Sequence, residues 1–159
     1  MYYKERLDSY KQENVKMGYY VDMEISDVVI PADKIEGCLK AINEMFEAES
    51  LSRGGGGTYS GGAKTSTSYS WVNSPDGGFK DLGSALNEWR YDSEIVDGDC
   101  RLSYFHGEKL GDDGLLMDAI APFVKSGGTI DCRGEDGALW RWEFDGEKAK
   151  ELWGKVIYE

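Results

Sequence analysis

The sequence predicts an α+β protein in which helices pack on an antiparallel or mixed sheet, with a closing β-hairpin near the C-terminus. Residues 19–30 alternate between apolar and polar side chains, the period of a half-buried strand. Further along the chain, apolar residues recur at helical spacing. Residues 129–133 and 138–144 are alternating runs joined by the short glycine-rich link 134–137, which indicates a hairpin with antiparallel strands.

The first strand and the first helix follow from local patterns. Because the polar members of 19–30 alternate with the apolar ones, Asp22 and Glu24 should face solvent. A helix should come next, with Asp33 and Glu36 forming a capping box at its start. Its buried stripe is expected to be Ile35, Leu39, Ile42 and Phe46.

Two segments lack the composition of a packed element. Residues 1–16 carry a net charge of +1 and two aliphatic side chains, which favours an N-terminal tail or loosely held helix ahead of a single domain over 17–159. Glycine, serine and threonine dominate 52–68, and such a segment buries too little apolar surface to offset its chain entropy. We therefore expect a mobile loop there. The spacing before Lys64 does not match a phosphate-binding loop.

Six further elements are expected between the loop and the C-terminus, apart from the closing hairpin. They are a short strand over 69–73, a turn at 75–78, a helix over 79–90, a strand over 99–106, a helix over about 115–124 and a last short helix over 147–158. In the strand over 99–106, Cys100, Leu102 and Tyr104 should share a face. Pro122 should kink or end the helix that contains it.

The closing hairpin carries the most aromatic stretch of the sequence. Trp140, Trp142 and Phe144 alternate with Arg141 and Glu143, so the aromatic face should pack on the core while the charged pair points outward. Aromatic platforms for nucleic acid come with basic surroundings, whereas the surroundings here are acidic. A core role for both tryptophans is therefore favoured.

The charge balance bounds the class of partner. The chain has 30 acidic and 18 basic residues, a formal net charge of −12. Such a surface repels phosphate backbones and anionic membranes, so we expect no direct nucleic-acid binding and no membrane binding. The same charge suits a basic protein partner, such as the nucleic-acid channel of a nuclease. The alternative, that acidity serves solubility alone, stays open.

The three cysteines indicate whether the protein works in a reducing or an oxidising compartment. Cys38, Cys100 and Cys132 form no CxxC pair, and their wide spacing suits neither a disulfide framework nor a zinc site. Each lies among apolar residues, so we expect buried free thiols, as in a reducing cytoplasm. We also expect no leader peptide and no membrane span, since no run approaches the ~18 apolar residues that a span needs.

Candidate chemistry is confined to acidic loops and one histidine. His106 near Glu108 could form an acid–base pair, but no nucleophile motif accompanies it, and a structural or surface histidine is favoured. The acidic loops lack the alternation of a Ca²⁺ site, and aspartates also cap helices and form turns. We predict no catalytic residue, no metal and no cofactor. Partner binding is assigned to Asp22, Glu24, Glu108, Asp112, Asp113, Glu135 and Asp136.

Several runs are similar to a group of small, uncharacterised phage and bacterial proteins. The strongest is the run from Arg133 to Gly146, which contains the pattern GEDGxxWRWxFDG. Shorter shared runs are GYYV at 18–21, LNEW at 86–89, GEKLG at 107–111 and AIAPFV at 119–124. The resemblance extends over about 17–50 and 69–146. It implies a phage or prophage setting, where small acidic proteins often block host defence, including CRISPR effectors, and it assigns no catalytic residue.

These observations favour an inhibitor of anti-CRISPR type that binds a basic groove on a host nucleic-acid enzyme such as a Cas nuclease. It would act by steric and electrostatic blocking, with carboxylates standing in for phosphates as in a DNA mimic. Two alternatives stay open. One is a small cytosolic ligand-sensing or housekeeping domain whose acidity is incidental. The other is a metal-dependent enzyme that uses Glu108, Asp112, Asp113 and Glu135.

Overall fold

The computed structural model describes residues 2–5, 20–47, 57–60, 63–69, 72–108 and 110–159. The helices are α1 (Ile35–Glu47), α2 (Leu82–Glu88) and α3 (Asp113–Ile120), with 3-10 turns at Ala32–Lys34 and Ala121–Phe123. The strands are β1 (Tyr2–Glu5), β2 (Val21–Ser26), β3 (Val29–Ile30), β4 (Gly57–Ser60), β5 (Ala63–Tyr69), β6 (Val72–Pro75), β7 (Tyr91–Val96), β8 (Asp99–Phe105), β9 (Thr129–Gly134), β10 (Leu139–Phe144) and β11 (Ala149–Lys155). The fold is α+β, as predicted.

The strands form three sheets, with the orders β1-β11-β10-β9-β2, β3-β8-β7 and β4-β5-β6. Neighbouring strands in all three are antiparallel. The run predicted as one strand over 19–30 is divided between two sheets, because the backbone of Asp27 turns at a φ of 52°. Beyond the turn, the carbonyl of Val28 accepts a hydrogen bond from the Leu102 N–H. The core therefore lies where the first two sheets and the helices meet.

The closing hairpin is confirmed. β9 and β10 pair in register, and Gly137 takes the positive φ of 83° that its turn requires. Trp140, Trp142 and Phe144 are each at most 5% exposed, on what we call the inner face of the five-stranded sheet. Arg141 lies on the opposite, outer face, where two of its nitrogens donate to the Asp131 carboxylate.

The start of α1 differs from the predicted capping box. Pro31 precedes a 3-10 turn, and no side chain of this segment caps it. Instead, Asp99 at the β7–β8 hairpin accepts a hydrogen bond from the Ala32 N–H at 3.0 Å and one from Lys125 at 3.1 Å. Asp33 is exposed, so the cap comes from a distant residue rather than from the local pair with Glu36.

The buried stripe of α1 is largely as predicted. Ile42 and Phe46 are buried, and Ile35 and Leu39 are half-buried against the core. Cys38 is buried beside them and is a free thiol, as are Cys100 and Cys132, which confirms the prediction for all three cysteines.

The second sheet contains a strand that the sequence analysis missed. β7 and β8 form a hairpin around Asp97 and Gly98, whose φ angles of 52° and 85° suit a type I′ turn. Its register shifts between Asp92 and Ser93, which breaks the alternation predicted for the partner strand. As a result Phe105 is buried and Tyr104 is 59% exposed, whereas Tyr104 was expected to share the buried face.

Both ends of the chain differ from the prediction. The expected helix over 147–158 is instead the strand β11, which pairs with β10 on one side and β1 on the other. Backbone pairing on two sides overrides the helical spacing of its apolar residues. Tyr2–Glu5 is a strand rather than part of a tail or helix, and the remainder of 1–16 lies outside the described residues.

The glycine-rich segment also differs. Within 52–68, which was expected to be a mobile loop, residues 57–60 belong to β4 and residues 63–68 to β5, while 52–56 and 61–62 lie outside the described residues. Threonine and serine alternate along β5, which pairs with β4 on one side and with β6 on the other.

The middle helices are confirmed with shorter bounds. α2 buries Leu82, Ala85 and Leu86, with Trp89 buried directly after it. The turn ahead of α2 closes through a hydrogen bond from the Gly78 N–H to the Pro75 carbonyl. α3 ends before Pro122, which lies in the following 3-10 turn, as expected of a residue without a backbone donor.

Candidate functional site

β2 positions two of the predicted carboxylates. Its inner-face residues pack toward the core, so Asp22 and Glu24 are exposed on the outer face, as predicted. The pairing with β9 sets Asp22 opposite Arg133 and Glu24 opposite Asp131. Arg141 already holds Asp131 in a bidentate ion pair, so the charge of Asp131 is largely balanced within the sheet.

Two distant loops meet at the beginning of this strand. The Val21 N–H donates to the Glu108 carbonyl at 3.2 Å, and the Glu135 N–H donates to the Tyr20 carbonyl at 3.0 Å. The loop before α3 and the turn of the closing hairpin are therefore fastened to the same end of β2. We name the exposed carboxylates of these three segments the acidic edge: Asp22, Glu24, Glu108, Glu135 and Asp136.

Tyr20 lies in the middle of the acidic edge and is 49% exposed. Its backbone bond to Glu135 places it opposite that residue, and the alternation of β2 places its side chain on the outer face with Asp22. Tyr20 was not among the residues predicted for the site. An aromatic residue at a polar position of an alternating strand was the available signal.

The hairpin turn holds its carboxylates in a defined backbone. Asp136 accepts a hydrogen bond from the Ala138 N–H at 3.0 Å, and the Gly137 N–H donates to the Gly134 carbonyl at 3.0 Å. Asp136 thus forms its turn as well as carrying charge, whereas the exposed side chain of Glu135 is not used in this bonding.

Asp113 was assigned to partner binding together with the exposed carboxylates, but it is buried and is not part of the acidic surface. It is 1% exposed at the start of α3 and accepts hydrogen bonds from the Tyr91 hydroxyl at 2.6 Å and the Gly111 N–H at 3.1 Å. Burial raises the pKa of its carboxyl to about 6, although both hydrogen bonds act in the opposite direction. Its neighbour Asp112 is half-buried at the N-terminus of the helix.

The histidine does not pair with Glu108. His106 Nε2 lies 3.3 Å from Asp92 Oδ1 and 3.4 Å from the Asn87 side-chain nitrogen, on an exposed part of the surface. Within the described residues, no group of three or more histidine, cysteine or carboxylate side chains is arranged to hold a metal ion. The contacts of His106 are those of an exposed surface side chain.

An open depression runs along the exposed side of α1. It is lined by Glu36, Leu39, Lys40, Asn43 and Glu44, and Lys40 and Glu44 lie 3.5 Å apart as an exposed ion pair. Its charged lining and open shape differ from the enclosed apolar cavity that is typical of small-ligand sites. Among the described helices, none is both long and apolar enough to cross a membrane.

Comparison of the chain with protein-family models, curated proteins and solved structures finds no match. The resemblance to small phage proteins therefore stays a prediction from sequence.

Proposed function

We propose that the protein is a phage-type inhibitor of a host nucleic-acid defence enzyme, such as a Cas nuclease, and that it binds through the acidic edge. Carboxylates of the edge would take the place of DNA phosphates against the lysine and arginine side chains of the enzyme's groove. The folded chain would then exclude the nucleic acid by occupying the groove. The proposal places the protein in the cytoplasm of the host cell.

The observation that supports this proposal is the convergence of three chain segments at one end of β2. Asp22, Glu108 and Glu135 come from positions far apart in sequence, yet hydrogen bonds to the backbone of Tyr20 and Val21 hold their three segments at one end of β2. Fixed carboxylates bind a basic partner with less loss of chain entropy than carboxylates on a flexible tail.

Tyr20 adds an uncharged anchor to this surface. Tyrosine is enriched among the residues that dominate binding energy, and such residues are usually surrounded by a polar rim. An exposed aromatic ring within a set of carboxylates has that arrangement. The formal net charge of −12 further favours encounter with a basic partner.

The proposal is tested with purified Cas effectors and other nucleic-acid defence enzymes. We expect one of them to co-elute with the protein on gel filtration at low salt and to lose cleavage of its target DNA. Glu108→Gln/Glu135→Gln should weaken both effects. The matched control is Glu36→Gln/Glu44→Gln, which removes two exposed carboxylates from α1 by the same chemical change.

Two results would count against the proposal. One is the absence of a complex and of any protection of DNA across the panel. The other is a complex that both double variants weaken equally, since that outcome would assign the effect to net charge rather than to the acidic edge.

A further inference from the structure

Asp113 is a carboxylate enclosed at the junction of the five-stranded sheet and the sheet β3-β8-β7. Tyr91 from β7 donates its hydroxyl hydrogen to Asp113 Oδ2, and the same hydroxyl lies 3.6 Å from the Met23 sulfur on β2. Both Tyr91 and Asp113 are at most 1% exposed. A buried carboxylate is costly, so this arrangement calls for a reason beyond ordinary packing.

The second contact of Asp113 leads to the acidic edge. Oδ1 accepts a hydrogen bond from the Gly111 N–H at 3.1 Å, which fixes the chain just before α3. Three residues earlier, the Glu108 carbonyl accepts the Val21 N–H at the start of β2. The segment that carries Glu108 is thus held at one end by Asp113 and at the other by β2.

We propose that Asp113 is a positioning residue for the acidic edge, which through Tyr91 and Gly111 holds the segment carrying Glu108 against β2. Its bearing on partner binding rests on the function proposed above, whereas the positioning itself is a property of the free protein. Three titratable groups interact with the Asp113 carboxylate: Tyr91 on β7, Cys132 on β9 and the neighbouring Asp112. Cys132 in turn interacts with the carboxylates of Asp131 and Glu151.

The direction of its pH dependence follows from burial. The pKa of Asp113 rises from the usual 3.8 to about 6 in the folded protein, because burial disfavours the charged form. The contribution of protonated Asp113 to the free energy of unfolding is fully present below pH 3.8 and is lost as the pH rises through about 6. Above that pH the carboxylate is ionised, so an opening that admits water to it becomes easier.

Hydrogen exchange of the free protein tests the proposal. Tyr91→Phe removes the hydroxyl donor and keeps the ring against Phe105. We expect the Gly111 and Val21 amides of the wild type to exchange through a local opening, and therefore faster than the Trp142 amide. In Tyr91→Phe the exchange of both amides should accelerate about 10-fold or more, the usual worth of a hydrogen bond to a charged group. Exchange of all three amides through one global opening in both proteins, or no acceleration at Gly111 and Val21, would overturn the proposal.

The pH profile is the second measurement. In the wild type, the protection factors of the Gly111 and Val21 amides should fall by up to about 100-fold between pH 4 and 7, the equivalent of a shift of about two pKa units. Asp113→Asn should abolish this step, and Asp112→Asn, the matched control at the neighbouring carboxylate, should retain it. A step that survives in Asp113→Asn would overturn the proposal. None of these results depends on a partner.

Discussion

Trp142 and Arg141 are neighbours on β10 whose side chains lie on opposite faces of the strand. Trp142 is 4% exposed in the core, and the Arg141 side chain is 28% exposed in its ion pair with Asp131. We expect Trp142→Ala to cost about 3–5 kcal/mol of unfolding free energy and Arg141→Ala about 1 kcal/mol, as for other partly exposed ion pairs. Urea unfolding of both variants measures the difference. The opposite order of severity would mean that the strand register is displaced by one residue.

The charge state of Asp113 also affects global stability. The upward pKa shift to about 6 corresponds to about 3 kcal/mol that the wild type loses between pH 4 and 7. The hydrogen-bonded carboxylates Asp81, Asp99 and Asp145 have lowered pKa values and act with the opposite sign. The test is therefore the difference between wild type and Asp113→Asn in urea unfolding at each pH. We expect the wild type to lose stability relative to the variant as the pH rises, and a constant difference would contradict this.

Asp112 and Asp113 show why the burial of one carboxylate could not be predicted from the sequence. Asp112 and Asp113 are adjacent in an acidic loop and look equivalent in sequence, yet one is half-buried and the other is enclosed by Tyr91. Nothing local distinguishes them, because Tyr91, which encloses Asp113, comes from β7, 22 residues earlier in the sequence. Glu135 and Asp136 were predictable, since a hairpin turn must face solvent.

At the scale of elements, the sequence predicted those strands and turns whose structure depends on local patterns. The hairpin of β9 and β10 was found because strand period and turn residues agree. β7 was missed although Asp97-Gly98 is a strong hairpin signal. β11 was mistaken for a helix because its apolar spacing suits either structure, and the choice depends on neighbours that are distant in sequence.

The joint between β2 and β9 depends on a close approach of two backbones. A Cβ on Gly128 would lie 2.7 Å from the Asp27 carbonyl oxygen and 3.1 Å from the Val28 Cα, and neither backbone atom can move cheaply. Gly114 in α3 has nothing within 4 Å of the same position. We expect Gly128→Ala to destabilise the protein by about 1–3 kcal/mol, and Gly114→Ala to stabilise it by up to about 1 kcal/mol through helix propensity.

Thermal unfolding of the two glycine variants supplies a matched comparison, because each adds one methyl group. A neutral effect of Gly128→Ala would show that the contact between Gly128 and the backbone of Asp27 and Val28 can open without cost. The division of the run over 19–30 between two sheets would then need another explanation than this contact.

At the scale of the whole molecule, the sequence determined the sign and size of the charge but not its distribution. On the outer face of the five-stranded sheet, Arg141 holds Asp131 at the centre. Around the beginning of β2, the exposed Arg133 lies opposite Asp22, and the segments of Glu108 and Glu135 add carboxylates. The convergence of Glu108 and Glu135 there depends on two hydrogen bonds between distant segments, which no local pattern predicts.

This distribution leads to a prediction about association kinetics. If the acidic edge meets a basic groove, charge complementarity should act mainly on the association rate. Physiological salt shortens the Debye length to about 8 Å, so raising the salt should slow association of the wild type. Glu108→Gln/Glu135→Gln should associate more slowly at low salt and respond less to added salt, whereas Glu36→Gln/Glu44→Gln should resemble the wild type. Glu108 and Glu135 are preferred to Asp136 because the Asp136 side chain also forms its turn.

Surface plasmon resonance at two salt concentrations measures all three proteins against the enzyme found by gel filtration. Identical, salt-independent rates would assign recognition to apolar contacts, and Tyr20→Ala would then be the variant that abolishes binding.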